Sequence, residues 1–151
     1  QKGNPPRVKN SRRWYEPVAQ GGLIAIGLVA VALLMLSLVQ RRRRAKHRLA
    51  TTDLKRRLDG PEDILVLDVR DRADYAGEGG HIPGAKNISL REMQSRLSEL
   101  AAWKQRPLAV VCTTNVKSGR AANLLRKSGF GRVLLVADGM LGWSVNGFET
   151  E

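Results

Sequence analysis

Apolar residues in this chain fall into one long run and three short ones, and each kind predicts a different element. The short runs are Ile64-Leu65-Val66-Leu67-Asp68-Val69, Leu108-Ala109-Val110-Val111-Cys112 and 133–136. They carry β-branched residues and lack an alternating polar face, as strands covered on both sides do. Between them the period changes. Leu90, Met93, Leu97 and Leu100 repeat at helical spacing behind Ser89-Leu90-Arg91-Glu92, which matches a capping box. Residues 119–127 read as a helix with Ser118 as its N-cap, ending near Ser128-Gly129. Upstream, Thr52 caps a short helix with Leu54 and Leu58 on one face, closed by Gly60. Residues 71–80 read as a polar, glycine-rich loop with one helical turn. His81-Ile82-Pro83-Gly84-Ala85 is a turn, with Pro presetting φ and Gly84 taking a positive-φ position. Gly139-Met140-Leu141-Gly142-Trp143 opens a last turn or helix. Strands alternating with helices predict an α/β fold, a parallel sheet with helices on both faces.

The long run is of another kind. From Pro17 to Gln40 there is no charged residue, and over 21–39 Ser37 alone carries a strong polar group. At about 1.5 Å per residue this core spans about 28 Å, close to the hydrocarbon thickness of a bilayer. Its apolar character runs all round the helix, which argues against a surface helix of a soluble domain. Trp14 and Tyr15 stand where an interfacial aromatic belt is expected, and Arg41-Arg42-Arg43-Arg44 with Lys46 and Arg48 ends the run. A signal peptide would have a shorter core and a cleavage site after it. The pattern therefore predicts a polar basic tail at 1–16, a transmembrane helix at 17–40, a polybasic juxtamembrane linker at 41–47 and an α/β domain at 48–151. Five Lys/Arg precede the apolar run and nine follow it through residue 60. The larger cluster predicts a single-pass integral membrane protein. Its domain faces the cytoplasm, or the stroma or matrix of an organelle.

Charge changes its meaning once it is divided along the chain. The net charge is +12, but residues 1–60 hold 14 Lys/Arg against 3 Asp/Glu, and residues 61–151 hold 12 against 11. The α/β domain is nearly neutral. The basic segment has no interleaved aromatic residues, so it fits lipid headgroups as its partner and excludes a nucleic-acid surface. Two His and one Cys make no metal-ligand cluster, so no metal is expected.

That one cysteine, Cys112, closes the second short strand. In parallel sheets sites lie at the carboxyl ends of strands. The polar stretch Cys112-Thr113-Thr114-Asn115-Val116-Lys117 follows as a six-residue loop leading to a helix N-terminus. Backbone N–H groups, the positive end of the helix and Lys117 would together stabilise a sulfur anion. Cys112 is the candidate nucleophile. The blander reading is a packed strand-end thiol.

Asp68-Val69-Arg70, Gly80-His81-Ile82-Pro83-Gly84-Ala85, Cys112 with Lys117-Ser118 and Ala121-Ala122, Gly129-Phe130 and Gly139-Met140-Leu141-Gly142-Trp143 together resemble a rhodanese domain. The resemblance covers about residues 48–150, in order and spacing. It implies a rhodanese-like parallel sheet flanked by helices, here preceded by the transmembrane helix. It implies sulfur transfer through a persulfide on Cys112, with no cofactor beyond that covalent intermediate. Thr113, Thr114, Asn115, Val116, Lys117 and Ser118 would then bind the sulfur-bearing substrate. Asp68, Arg70, His81 and Gly84 are read as structural, tying the strand end and the turn to neighbouring loops. Trp143 is read as core. The family often has Arg, Gly and Arg at the second, fourth and sixth loop positions, where this chain has Thr113, Asn115 and Lys117. Asn tolerates the left-handed region, but Lys lacks the planar fork of Arg and binds a dianion such as thiosulfate weakly.

Two functions follow. One is a membrane-anchored sulfurtransferase, its partners a sulfane-sulfur donor and a thiol or protein acceptor. The other is a non-catalytic docking subunit of a larger membrane protein complex. A phosphatase loop would need Arg six residues after the cysteine, where Ser118 stands.

Overall fold

The computed structural model describes Gly3 and the backbone from Glu16 to Glu151, with side chains at Gly3, 25–40 and 47–151. The basic tail, Trp14 and Tyr15 lie outside the described residues. The chain divides into two units, Gln1–Arg44 and Ala45–Glu151, and each is taken by itself.

The first unit is described by helix α1 (Glu16–Lys46), 31 residues long. Its register passes through the four arginines, where the charge pattern had placed a linker. Arginine is a good helix former, so charge alone does not end a helix. Ile26, Leu28, Val29, Val31, Leu33, Leu34, Met35 and Leu36 are all exposed. Ser37 Oγ donates to Leu34 O at 2.7 Å. The part of α1 whose side chains are described, 25–40, is shorter than the ~20 apolar residues a span requires. Among the described residues no helix is long and apolar enough to cross a membrane.

The second unit is built on five parallel strands. These are β1 (Arg48–Leu49), β2 (Leu65–Asp68), β3 (Lys86–Asn87), β4 (Leu108–Val111) and β5 (Val133–Val136), in the spatial order β1-β5-β4-β2-β3. β4 lies at the centre, with Leu67 opposite Val110 on β2 and Ala109 opposite Leu134 on β5. All four of its residues are buried, which is why its sequence shows no polar alternation. Period-two geometry divides these residues between two cores. Leu67, Leu108, Val110 and Cys112 face one, with Ala121, Ala122 and Leu125 of helix α4 (Asn115–Lys127). Val66, Ala109 and Val111 face the other, with Leu54 of α2 (Thr51–Leu58) and with Met140 and Trp143 of α5 (Gly139–Val145). The sheet is thus flanked by helices on both faces, and α3 (Arg72–Tyr75) is a single turn after β2.

Two local expectations are corrected. The helical repeat from Leu90 to Leu100 is not one helix. Turns occupy 90–96 and a 3₁₀ helix follows over Leu97–Trp103. Leu90 N–H is still bonded to Val69 O at 3.3 Å, and Ser89 Oγ donates to Glu92 Oε2 at 2.7 Å. Those bonds hold the chain against the sheet end, while Met93 and Leu100 reach full burial all the same. The second correction is to helix starts: α4 begins at Asn115 and not at Gly119, and α2 begins at Thr51 with Ala50, not Thr52, as its N-cap.

Candidate functional site

The site forms where β4 gives way to α4. Thr114 is the N-cap, extended at φ −127° and ψ −162°, and its side chain makes no cap hydrogen bond. Thr113 and Thr114 are therefore the whole connection, and Asn115, Val116 and Lys117 form the first helical turn. Ser118 is not the cap. It is fully buried on the inner face of α4, three and four residues before Ala121 and Ala122. That spacing turns its hydroxyl toward the strand end. Ser118 Oγ lies 3.5 Å from Cys112 Sγ, and the thiol donates to Thr114 O. Cys112 is 2 % exposed.

The opposite side of this connection is held by α5. Met140 N–H donates to Cys112 O at 2.9 Å and Leu141 N–H to Thr113 O at 3.4 Å. These are first-turn amides with no partner inside their own helix. Asp138 and Gly139 reach this approach in the left-handed region, at φ 61° and 54°. A Cβ on Gly139 would come within 2.1 Å of Cys112 O, so no other residue fits.

Lys117 points outward to Asp71, Nζ to Oδ2 at 2.9 Å, and Arg91 Nε stands 4.0 Å from the other carboxylate oxygen. Hydrogen bonding to Lys117 and its charge hold the Asp71 carboxyl below the usual carboxylate range. The same bond pushes the Lys117 ammonium up. Asp71 and Arg91 were not singled out in the sequence. Asp71 follows the Asp68-Val69-Arg70 segment directly, and nothing in the spacing links it to a residue 46 positions on.

Asp68 and Arg70 form a buried ion pair at the end of β2. Arg70 Nη2 and Nε reach Asp68 Oδ2 at 2.7 and 2.9 Å, and Arg70 N–H donates to Oδ1 at 2.9 Å. Arg70 Nη2 also donates to Gly80 O at 2.8 Å, which fixes the loop before the turn. His81 stacks on Tyr75, ring centroids 3.7 Å apart, with Nδ1 3.1 Å from Tyr75 O. Gly84 takes φ 71° and donates its N–H to Glu151 Oε2 at 3.2 Å. Asn87, not anticipated, donates through Nδ2 to Asp68 O and Arg70 O at 3.1 and 3.0 Å. Trp143 is buried, with Nε1 donating to Glu149 O at 2.8 Å. The structure thus brings Cys112, Thr114 and Ser118 together. It directs Lys117 to Asp71, and keeps Asp68, Arg70, His81 and Gly84 in a separate group of loop contacts.

Comparison with known proteins agrees with this architecture. Residues 50–146 match the model of the rhodanese-like domain. The chain is 29% identical over 128 residues to YibN of Escherichia coli K12, covering 84% of this chain and 88% of that protein. It is 33% identical over 94 residues to a protein named sulfurtransferase from Allochromatium vinosum, covering 62% of this chain and 84% of that one. Among solved structures, the Alr3790 protein from Anabaena superposes with a TM-score of 0.61 at 33% identity, over 68% of this chain and 80% of that chain.

Proposed function

Because this chain belongs to the rhodanese-like sulfurtransferase family, we propose that it moves sulfane sulfur through a persulfide on Cys112, from a membrane anchor formed by α1. The observation that carries the chemistry is the placement of the thiol. Cys112 follows directly on the central strand and faces the start of α4, whose N-cap side chain makes no cap hydrogen bond. The first-turn N–H groups of α4 therefore remain for a sulfur anion. In the thiol state the proton is held by Thr114 O. Once the proton has left, the Cys112 thiolate attacks the sulfane sulfur of a donor. The bond between that sulfur and the donor breaks, the donor leaves with the electron pair, and Cys112–S–S⁻ remains. An acceptor nucleophile, cyanide or a thiolate, then takes the outer sulfur and regenerates the thiolate. Thr114, Ser118 and the first turn of α4 border the transferred atom, and the helix dipole and N–H groups offset its charge.

The anchor rests on the apolar run, the arginines that close it and the exposed apolar side chains of α1. The Ser37 hydroxyl is satisfied within the helix, as hydrocarbon requires. The proposed partner of this segment is membrane lipid, and the Lys/Arg asymmetry supports an orientation with the domain on the cytoplasmic, stromal or matrix side.

The test is thiocyanate formation from cyanide and a sulfane donor. The wild-type chain is expected to turn over and Cys112→Ser to be inert at equal folded fraction. Equal rates in the two proteins would refute the assignment of Cys112. Inertness of both with thiosulfate, polysulfide and organic persulfide would favour a docking subunit of a membrane complex.

A further inference from the structure

The charge at the mouth of the loop is already spent. Lys117 is the cation nearest Cys112 along the chain, and its Nζ is bonded to Asp71 Oδ2 at 2.9 Å. Asp74 and Arg91 also act on Lys117, so two carboxylates stand against two cations. Thr113, Thr114 and Val116 bring no charge. Arg120, the next cation along α4, lines a groove with Gln94, Asn123 and Lys127. The flanking side chains are apolar: Val116 in the first turn of α4 is 68% exposed, and Leu141 in the first turn of α5 is 61% exposed. Leu141 belongs to the same rim, because its N–H is bonded to Thr113 O.

We infer that the site selects a sulfane donor of low charge with an apolar body, an organic persulfide, and that Asp71 sets this preference by neutralising Lys117. The inference rests on the sulfur transfer through Cys112 proposed above. A thiosulfate dianion needs uncompensated positive charge. Both side chains of the pair are half-exposed, so Lys117 is free to swing away from Asp71 at little cost. The carboxylate nevertheless stays at the rim, and its repulsion cancels what Lys117 offers. An alkyl persulfide carries at most one negative charge, so it meets a smaller penalty than the dianion, and its chain covers Val116 and Leu141. The step balances: Cys112–S⁻ attacks the outer sulfur of R–S–SH, the S–S bond of the donor breaks, and Cys112–S–SH and R–S⁻ are formed.

The experiment measures steady-state sulfur transfer to cyanide by the full-length chain in detergent. Thiosulfate and propyl persulfide are the donors, with the uncatalysed reaction subtracted. Wild type is expected to favour propyl persulfide in kcat/KM. Asp71→Asn should lower the KM for thiosulfate by about threefold to tenfold at low salt, leave that for propyl persulfide within about twofold, and lose its gain at high salt. Asp71 makes no side-chain cap bond to α3, so the substitution removes no cap; Asp71→Ser is the second variant. Lys117→Ala leaves the Asp71 carboxylate unopposed, so it should raise the thiosulfate KM by a comparable factor in wild type and erase the gain in the Asp71→Asn background. A wild-type preference for thiosulfate would overturn the inference while leaving Cys112 as the sulfur carrier, and so would a donor ratio indifferent to both Asp71 variants. Failure to transfer sulfur from either donor would overturn the underlying reading as well.

Discussion

At the residue scale, Cys112 and the Asp68–Arg70 pair place opposite demands on their surroundings. Cys112 gains its candidate role from its neighbours, because a buried thiol is ordinarily inert. The Asp68 and Arg70 side chains are 0% and 6% exposed, and both carboxylate oxygens are in use. Removing one partner leaves a buried charge uncompensated. Arg70→Ala should therefore cost about 3–5 kcal/mol in denaturant unfolding, whereas Lys117→Ala, at an exposed pair, should stay within about 1 kcal/mol. A near-zero cost for Arg70→Ala would show the pair to be solvated. The sequence made Cys112 legible because a lone cysteine at the end of an apolar run is conspicuous. It hid Asp71, whose link to Lys117 crosses 46 positions of chain and exists only once β2 and β4 lie side by side.

At the element scale, pattern and structure agree where an element has enough residues to show its period. β2, β4 and β5 were visible as apolar runs because the sheet buries their residues from two sides. β1 and β3 have two residues each, too few to display alternation. The start of α4 is obscured by Thr113-Thr114-Asn115, three residues that all suit a cap, so the pattern offers Ser118 as an equally good boundary. The deciding force is tertiary: Ser118 is drawn inward with Ala121 and Ala122. Gly139 offers a direct test of how α5 holds the connection. Gly139→Ala meets both a left-handed φ and the Cys112 carbonyl, and should cost more than about 2 kcal/mol with loss of sulfur transfer. Activity near wild type would show that the connection is not held in this way. The edge of the sheet carries a pH-dependent tie. Glu99 in the 3₁₀ helix bonds Arg96 and reaches Lys86 on β3 at 2.9 Å, and its carboxyl is pulled from 4.5 down to about 2 by those bonds. A depressed carboxylate stabilises the fold above its unfolded value and ceases to do so as pH falls through the folded one. Thermal stability should thus decline between about pH 4.5 and 2 partly through Glu99, and Glu99→Gln should make that decline shallower. Identical pH profiles would remove Glu99 from the account.

At the scale of the whole molecule, the uneven charge belongs to residues 1–60, and the nearly neutral remainder makes up most of the rhodanese-like domain. The anchor proposed for α1 predicts that carbonate washing at high pH leaves the full chain in the membrane pellet, and that a chain beginning near Lys46 is released. Recovery of the full chain in the wash would contradict the anchor without touching the site. The central claim is that Cys112 carries sulfur, and intact-mass spectrometry of the full-length chain tests it most directly. After incubation with propyl persulfide or thiosulfate, the account predicts a gain of one sulfur atom. The gain should be located on Cys112, reversed by a thiol reductant and absent in Cys112→Ser. A chain whose mass stays unchanged with every sulfane donor, or whose added sulfur persists in Cys112→Ser, would contradict it.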